Sequence, residues 1–349
     1  MKMQIAKTDL TQFWTDLVDS KPNRFDRKHH DERYNIEYGL QKSADGGCEF
    51  YVKDAVTKAD LTPNFIQSGS AGVFQKVFNL LRCLRPGGEP KKPGRQEDIP
   101  NGVEQCRFYC VDPANPMSLL IRPSLPIVAA NSNSLRFKWT AYPNFAPFEP
   151  SGHFLLMPCG DFPPLPHFPQ LLSPELLQDF ISLCRCSTDM VLFFNSRHAG
   201  ATADHFHIQA VCHPEGSKLP LEDAATIKLD KPYSGSVGLV GSDYPVNALV
   251  FNSSATVEII TNAVIALQSK LVPFNLIFIR GRFFLVPRDL HNEIVREFSS
   301  VLASMEICGK FILSDEQIFQ RATESMVSTA LGRIRLSSDE ILALSPYLK

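Results

Sequence analysis

Residues 195–209 read Asn195-Ser196-Arg197-His198-Ala199-Gly200-Ala201-Thr202-Ala203-Asp204-His205-Phe206-His207-Ile208-Gln209. The last five residues alternate polar and apolar side chains, which is typical of a β-strand with one buried face. We therefore predict a strand from His205 to Val211, with His205, His207 and Gln209 on one face and the apolar residues on the other. Two imidazoles and a carboxamide would then form a polar surface on a rigid element.

Three interpretations of this surface remain open at the level of sequence. His205 and His207 could bind a metal ion with His198, Cys212 or His213, although the sequence has no Cys-x-x-Cys pair and Gln is a poor zinc ligand. The two histidines could instead be hydrogen-bonded residues without a chemical role. In the third interpretation, a neutral imidazole attacks phosphorus and forms a phosphoramidate intermediate.

Attack on phosphorus needs an imidazole whose other nitrogen is held by a hydrogen bond, and it needs hydrogen-bond donors around the phosphate. The loop at 195–203 offers the Asn195 amide, the Thr202 hydroxyl and small residues that permit a close approach of the backbone. This loop is not a Walker A loop, because it lacks both the glycine spacing and the lysine.

The same run resembles the histidine-triad superfamily, in the branch of galactose-1-phosphate uridylyltransferases, diadenosine tetraphosphate phosphorylases and GDP-hexose phosphorylases. That branch has His-x-His-x-Gln where the hydrolases have a third His. The Asn-Ser…Ala-Thr-x-x-His-x-His-x-Gln pattern of GDP-hexose phosphorylases aligns with residues 195–209 without a gap. Segments around Asn144, around Gly152–Pro158 and in the hairpin up to Pro287 agree in order, so the resemblance covers about residues 135–290.

The resemblance implies a role for each residue of the run. His207 would be the nucleophile, and His205 would hold the geometry of the strand and the phosphate. Gln209 and Thr202 would bind the phosphate, and Asn195 would position it. The further phosphate-binding residues expected are Ala201, His153 and Asn144.

The expected activity is that of a nucleotidylyltransferase or phosphorylase, which cleaves an NDP-sugar, with GDP-hexose favoured, through a nucleotidyl-histidine intermediate. Gln209 favours transfer to phosphate over hydrolysis, because an amide cannot activate water or protonate a leaving group. The alternatives are a dinucleoside polyphosphate phosphorylase and a catalytically silent nucleotide-binding module. No metal ion and no cofactor are expected.

The order of elements predicts an α+β fold, with a histidine-triad-like antiparallel sheet flanked by helices. Two apolar segments that end in proline, Phe154–Pro158 and Phe283–Pro287, suggest two pseudo-repeated half-units in one chain. The predicted parts are an N-terminal segment (1–100) with an exposed Pro/Gly/Lys loop at 85–95, a catalytic half (101–215), and a second, non-catalytic half with C-terminal helices (216–349).

Local patterns place the main elements of the two halves. They predict a helix from Ser173 to Leu183, a strand Met190–Phe194, a helix Ser254–Leu271, a hairpin of Phe274–Ile279 and Arg282–Pro287, a helix Leu290–Met305, and a helix Glu316–Leu331 capped by Ser314.

The composition bounds the environment and the partners. The 349 residues are 44% hydrophobic and carry a formal net charge of −2, which argues against a protein that binds the nucleic-acid backbone. The sequence contains no run of 18 apolar residues, so no membrane span is predicted. Its nine cysteines do not have the spacing of a disulfide framework, which indicates reduced thiols. We expect a cytoplasmic monomer or homodimer whose partners are a nucleotide-sugar or dinucleotide and inorganic phosphate, with no nucleic acid and no membrane.

Overall fold

The structure is a computed structural model. The residues that it describes are 7–16, 29–31, 35–42, 48–72, 74–79, 106, 108, 110, 114, 118, 124–127, 135–144, 147–149, 152–159, 167–187, 189–212, 216–229, 235–289, 295, 297–298, 301–344 and 346. The predicted exposed loop at 85–95 lies outside these residues. In the described part of the chain, no helix has the length and apolar character needed to cross a membrane.

The helices and strands fall into three consecutive groups along the chain. The first group is α1 (Lys7–Asp16), β1 (His29–Asp31), β2 (Ile36–Lys42), β3 (Cys48–Asp54), α2 (Thr62–Phe65), β4 (Ile66–Ala71) and β5 (Phe74–Asn79). The second group is β6 (Leu125–Ile127), β7 (Lys138–Pro143), β8 (His153–Cys159), α3 (Pro174–Arg185), β9 (Met190–Asn195) and β10 (Ile208–Cys212). The third group is α4 (Pro220–Asp223), β11 (Thr226–Lys228), β12 (Val237–Val240), β13 (Leu249–Phe251), α5 (Val257–Ser269), β14 (Phe274–Ile279), β15 (Arg282–Pro287), α6 (Ser304–Ile307), β16 (Lys310–Leu313), α7 (Glu316–Arg321), α8 (Glu324–Ile334) and α9 (Ser338–Leu342).

The second and third groups share one antiparallel sheet, which confirms the predicted α+β fold. Its ten described strands are ordered β11-β12-β13-β15-β14-β9-β10-β8-β7-β6. Counted from each outer edge inward, the two halves have the same strand order. The helices α3 and α5 are also equivalent, since α3 directly precedes β9 in the chain and α5 directly precedes β14. The halves meet where β9 pairs with β14, antiparallel, with Asn195 opposite Asn275.

The internal repeat therefore exists, but the two segments that suggested it are not its equivalent strands. By position in the sheet β8 corresponds to β13, and β15 corresponds to β10. Phe154–Pro158 and Phe283–Pro287 resemble each other because both are buried strands that need apolar residues at nearly every position.

The two predicted sheet-flanking helices begin where their capping residues lie. The Ser173 hydroxyl accepts a hydrogen bond from Leu176 N, with proline at the first helical position, and α3 follows. The Thr256 hydroxyl accepts from Ile259 N at the start of α5. Both helices bury their apolar sides against one face of the sheet in a single core.

The opposite face of the sheet is covered by the C-terminal elements together with part of the N-terminal segment. Strand β16 pairs in parallel with β5, which in turn pairs with β4. Phe74 of β5 packs against Phe311 of β16 and against Tyr244. Phe74 thus belongs to the core on this face of the sheet.

Three predicted elements differ from the structure. The strand predicted from His205 begins only at Ile208. The helix predicted over Leu290–Met305 is wrong at its described positions, since Val295, Phe298 and Leu302 are buried without helical structure and only α6 is helical. The helix predicted over Glu316–Leu331 is two helices, because the Thr323 hydroxyl caps α8, and Asp315 rather than Ser314 caps α7.

Candidate functional site

His207 lies directly before β10 and is buried, with its side chain fixed by its own backbone neighbour. Its Nδ1 atom is 2.8 Å from the carbonyl oxygen of His205. A carbonyl oxygen can only accept a hydrogen bond, so Nδ1 carries the proton and donates it. The lone pair of the neutral ring is therefore on Nε2, which is the nitrogen left for chemistry.

The surroundings of His207 favour this neutral form. Burial lowers the pKa of the imidazole to about 4, against the opposing effect of the hydrogen bond to His205. The ring of Phe108 lies edge-on to both imidazoles, with its centroid 5.3 Å from that of His207 and 5.5 Å from that of His205. His207 thus has the protonation state that an attacking nucleophile needs near neutral pH.

Gln170 holds the backbone at His207 from the other side, and it was not among the predicted site residues. This buried carboxamide accepts from His207 N at 3.0 Å and donates to His207 O at 3.2 Å. It also donates to the carbonyl oxygen of Asn195 at 2.9 Å. One side chain therefore ties the end of β9 to the residue before β10.

Gln209, on β10, belongs to a second polar chain that crosses to the neighbouring strand. Its Oε1 lies 2.8 Å from Nε2 of His153, the first residue of β8, and the same nitrogen lies 3.1 Å from Nδ2 of Asn144. With its oxygen accepting from His153, the carboxamide of Gln209 keeps its NH₂ group to donate elsewhere. His153 is buried, so its packing against Phe148 also fixes this arrangement.

Asn195 ends β9 and connects the two halves of the sheet. Its Oδ1 accepts from Asn275 Nδ2 at 2.7 Å and from Ser304 Oγ at 2.5 Å. Its Nδ2 is buried and has no hydrogen-bond partner in the described part of the chain. The side-chain oxygen of Asn195 thus accepts hydrogen bonds from residues of the second half, while its NH₂ group can still donate to a ligand.

The loop between β9 and β10 is shaped by contacts to the second half as well as by its small residues. Thr202 is exposed and Ala201 is buried. At Gly200 the backbone has a φ of +94°, and a Cβ there would lie 2.7 Å from the Cβ of Ala303. The close approach that glycine permits is therefore to the chain at Ala303.

His205 faces a different set of side chains from His207. Its Nδ1 is 3.3 Å from Cys106 Sγ, and its ring is edge-on to that of His167. Cys106, Cys110, His167 and His205 have ligand atoms within 4.8 Å of one another, and among the described residues they are the group of this kind that could hold a metal ion. His207 is not part of that group, contrary to the metal site suggested for the His205 and His207 pair.

The structure brings together Gln209, His153 and Asn144, and it links Asn195 to His207 through Gln170. The side chains of His205 and His207 do not extend from one strand face as predicted, because the strand starts after them. Sequence reasoning missed Gln170, Cys106, Cys110 and His167. The Cys-x-x-x-Cys spacing at 106–110 was the one signal that pointed to the cysteines.

Comparison with solved structures defines the class of the fold. The structure of yeast Ap4A phosphorylase Apa2 in complex with Ap4A has a TM-score of 0.54, with 14% identity, covering 97% of this chain and 100% of that one. A second structure of yeast Ap4A phosphorylase Apa2 has a TM-score of 0.52 at 14% identity, covering 97% of each chain. The chain therefore has the histidine-triad-like fold that residues 195–209 predicted.

Comparison of sequences is more specific. Residues 220–347 match the family model described as GDPGP1-like, C-terminal domain. GDP-L-galactose phosphorylase 1 of Arabidopsis thaliana is 28% identical over 242 residues, covering 64% of this chain. This chain covers 52% of that protein, so it matches about half the length of the relative. The predicted resemblance is confirmed as a resemblance: the chain is similar to GDP-hexose phosphorylases in the segments that match.

Proposed function

We propose that the chain is a nucleotidylyltransferase that cleaves a GDP-hexose with inorganic phosphate, giving GDP and a hexose 1-phosphate. The observation that carries this proposal is the 2.8 Å hydrogen bond from His207 Nδ1 to the carbonyl oxygen of His205, because it leaves Nε2 as the free nucleophile. The choice of a GDP-hexose rests on the GDPGP1-like match and on the plant relative.

The reaction proceeds in two displacements at the α-phosphorus. In the first, His207 Nε2 forms a bond to the α-phosphorus, and the bond to the bridging oxygen breaks, so that hexose 1-phosphate leaves. In the second, an oxygen of inorganic phosphate attacks the nucleotidyl-histidine, the P–N bond breaks, and GDP leaves with the neutral imidazole restored. Two inversions give net retention at phosphorus.

The residues around His207 have distinct tasks in this reaction. We assign the free amide groups of Asn195 and Gln209, together with Thr202 and the backbone at Ala201, as donors to the transferred phosphate. His153 fixes the carboxamide of Gln209 by donating to its Oε1, and Asn144 donates its backbone N–H to the carbonyl oxygen of His153. The leaving hexose 1-phosphate needs no proton from the protein, so an amide suffices at the third position of the motif.

The proposal is tested with a substrate panel. The protein is incubated with phosphate and GDP-glucose, GDP-galactose, GDP-mannose, UDP-glucose, ADP-glucose or diadenosine tetraphosphate, and the release of nucleoside diphosphate is measured. We expect turnover with one or more GDP-hexoses that depends on phosphate. Release of ADP from diadenosine tetraphosphate alone would assign the dinucleotide activity instead, and saturable nucleotide binding without turnover would indicate a silent binding module.

A further inference from the structure

The pairing of β9 with β10 stops just before it reaches the nucleophile. The register of the two strands places Gln209 opposite Phe193. Continued by two residues, it would place His207 opposite Asn195, and the two backbones would bond directly as in any antiparallel pair. Strand β9 does extend to Asn195, but β10 begins only at Ile208. The backbone of Asn195 therefore faces a different partner.

That partner is the carboxamide of Gln170, which lies between the two backbones. Its Oε1 accepts a hydrogen bond from His207 N at 3.0 Å, and its Nε2 donates to His207 O at 3.2 Å and to Asn195 O at 2.9 Å. A backbone N–H only donates and a carbonyl oxygen only accepts, so these partners also fix which end of the carboxamide is the oxygen. One side chain thus takes the place of the direct bonds between two strands and holds them apart by its own width.

Gln170 is itself fixed by the segment to which it belongs. The residue is fully buried, and its backbone N–H donates to Asp204 Oδ1 at 3.2 Å. Two residues earlier, the carbonyl oxygen of Phe168 accepts from Phe206 N at 2.7 Å. The segment 168–170 therefore runs along residues 204–207, and the carboxamide joins two strands from a rigid base.

We propose that Gln170 is a positioning residue, which sets the distance between the nucleophile His207 and the phosphate donor Asn195. It acts through the backbone of these two residues, at the two ends of the loop 195–207. A misplacement of about 1 Å at a reacting centre can slow a reaction by about a hundredfold, so this distance controls the rate. The effect on turnover rests on the proposed function, because that proposal assigns both residues to the phosphate.

Gln268 offers a matched control on the same segment. Its Oε1 accepts from Leu172 N at 2.9 Å and its Nε2 donates to Leu172 O at 2.8 Å, two residues after Gln170. Each of the two carboxamides makes a two-way bond to the backbone of one residue, but that of Gln170 bonds to His207. A general loosening of residues 168–172 would affect variants at both positions alike, whereas a positioning role distinguishes them.

The variants Gln170→Met and Gln268→Met are compared in kcat, KM and melting temperature. Methionine has about the length of glutamine but cannot bridge the backbone, so both variants should melt at a lower temperature. Only Gln170→Met should lower kcat, by at least about tenfold with KM within about twofold, because the nucleophile is misplaced while the substrate still binds. Equal kcat in the two variants would contradict the proposal. Gln170→Asn, whose carboxamide is one methylene shorter, provides the same test if Gln170→Met does not fold.

A second measurement does not depend on turnover. The protein is labelled with ¹⁵N-histidine, and the ring signals of His207 are assigned at pH 7.5 by their loss in His207→Asn. The wild type and Gln268→Met should show one tautomer, protonated at Nδ1, because this atom donates to the carbonyl oxygen of His205. In Gln170→Met the backbone of His207 is released, so we expect a mixture of the two tautomers.

The two measurements separate a failure of this proposal from a failure of the proposed function. If the wild type turns over none of the nucleotides in the substrate panel, the proposed function fails, and the tautomer of His207 decides on Gln170. An unchanged ring in folded Gln170→Met would then overturn the positioning role. If the wild type turns over a GDP-hexose and Gln170→Met keeps its kcat, the proposed function stands and Gln170 only stabilises the fold.

Discussion

The Nδ1 atom of His207 lies 2.8 Å from the carbonyl oxygen of His205, and this hydrogen bond determines which nitrogen of His207 can act. The bond orients the ring through the backbone two residues earlier, so the nucleophile does not depend on a partner carboxylate. The residue two positions before His207 thus contributes its backbone carbonyl oxygen, whatever its side chain.

The pH dependence of the free enzyme follows from the burial of His207. Burial disfavours the charged imidazolium and lowers the pKa to about 4, so the nucleophile is neutral above that pH and is lost as the pH falls through it. At pH 5.5 about nine-tenths or more of His207 would be neutral, against about a tenth at an ordinary pKa of about 6.5.

The measurement is kcat/KM with a GDP-hexose between pH 4 and pH 8, with circular dichroism as a control for folding. We expect less than about a twofold loss from pH 7.5 to 5.5. A tenfold loss over that range in the folded protein would show that His207 titrates as an ordinary histidine.

Replacement of Gln209 by histidine should change the acceptor. An imidazole at this position can activate water, which an amide cannot. We expect Gln209→His to raise the ratio of GMP to GDP formed in limiting phosphate by about tenfold or more. If the wild-type protein already forms mostly GMP at every phosphate concentration, the enzyme is a hydrolase and the role assigned to Gln209 is wrong.

His153 should act through Gln209. His153→Phe keeps the packing against Phe148 but removes the donor to Gln209 Oε1. Because the carboxamide is then free to turn, we expect kcat to fall about tenfold and a Gln209→Ala substitution to add little further loss. Independent, multiplicative effects of the two substitutions in a double-mutant cycle would contradict this coupling.

Asn275 should matter for both stability and turnover, because it joins the two halves at the site. It donates to Asn195 Oδ1 and to the carbonyl oxygen of Ala199, each at 2.7 Å, from a fully buried position. Asn275→Ala should lower the free energy of unfolding by about 2–4 kcal/mol, since it removes the buried donor to the carbonyl oxygen of Ala199 and one of the donors to Asn195 Oδ1. Asn252→Ala, in a half-buried turn, is the control and should lower the free energy of unfolding by about 1 kcal/mol. Equal losses of unfolding free energy in the two variants, measured by urea denaturation, would argue against the role of Asn275 in joining the two halves.

The sequence predicted those parts of the fold whose signals are local. Ser173 and Thr256 begin their helices through side-chain caps, and the hairpin of β14 and β15 turns at Arg280–Gly281 as its pattern indicates. The helix predicted over Leu290–Met305 is wrong at its described positions, because Val295, Phe298 and Leu302 are buried there without helical structure. Apolar spacing reports burial, and tertiary contacts decide the backbone conformation.

The site shows the same division between local and distant information. The residues of 195–209 could be proposed as site residues because the motif is contiguous, although the strand begins three residues later than its alternation suggests. Cys106 and His167 could not be placed beside His205, since 99 residues separate His205 from Cys106 and only the folded sheet brings them together. Gln170 lies 37 residues from His207 and binds its backbone. A contact of this kind leaves no pattern of side chains in the sequence, so it could not be predicted.

The central claim is that His207 Nε2 carries the nucleotide during turnover, and trapping of that intermediate tests it most directly. The protein is mixed with a GDP-hexose labelled at the α-phosphate, without inorganic phosphate, then quenched in alkali and digested. His198→Asn serves as a control from the same loop, where asparagine tolerates the observed φ of +61°. We expect label on the peptide containing His207, absent in His207→Asn, present in the control, and released as GDP when phosphate is added. Phosphate-dependent turnover without a labelled protein, or label on another residue, would contradict the account.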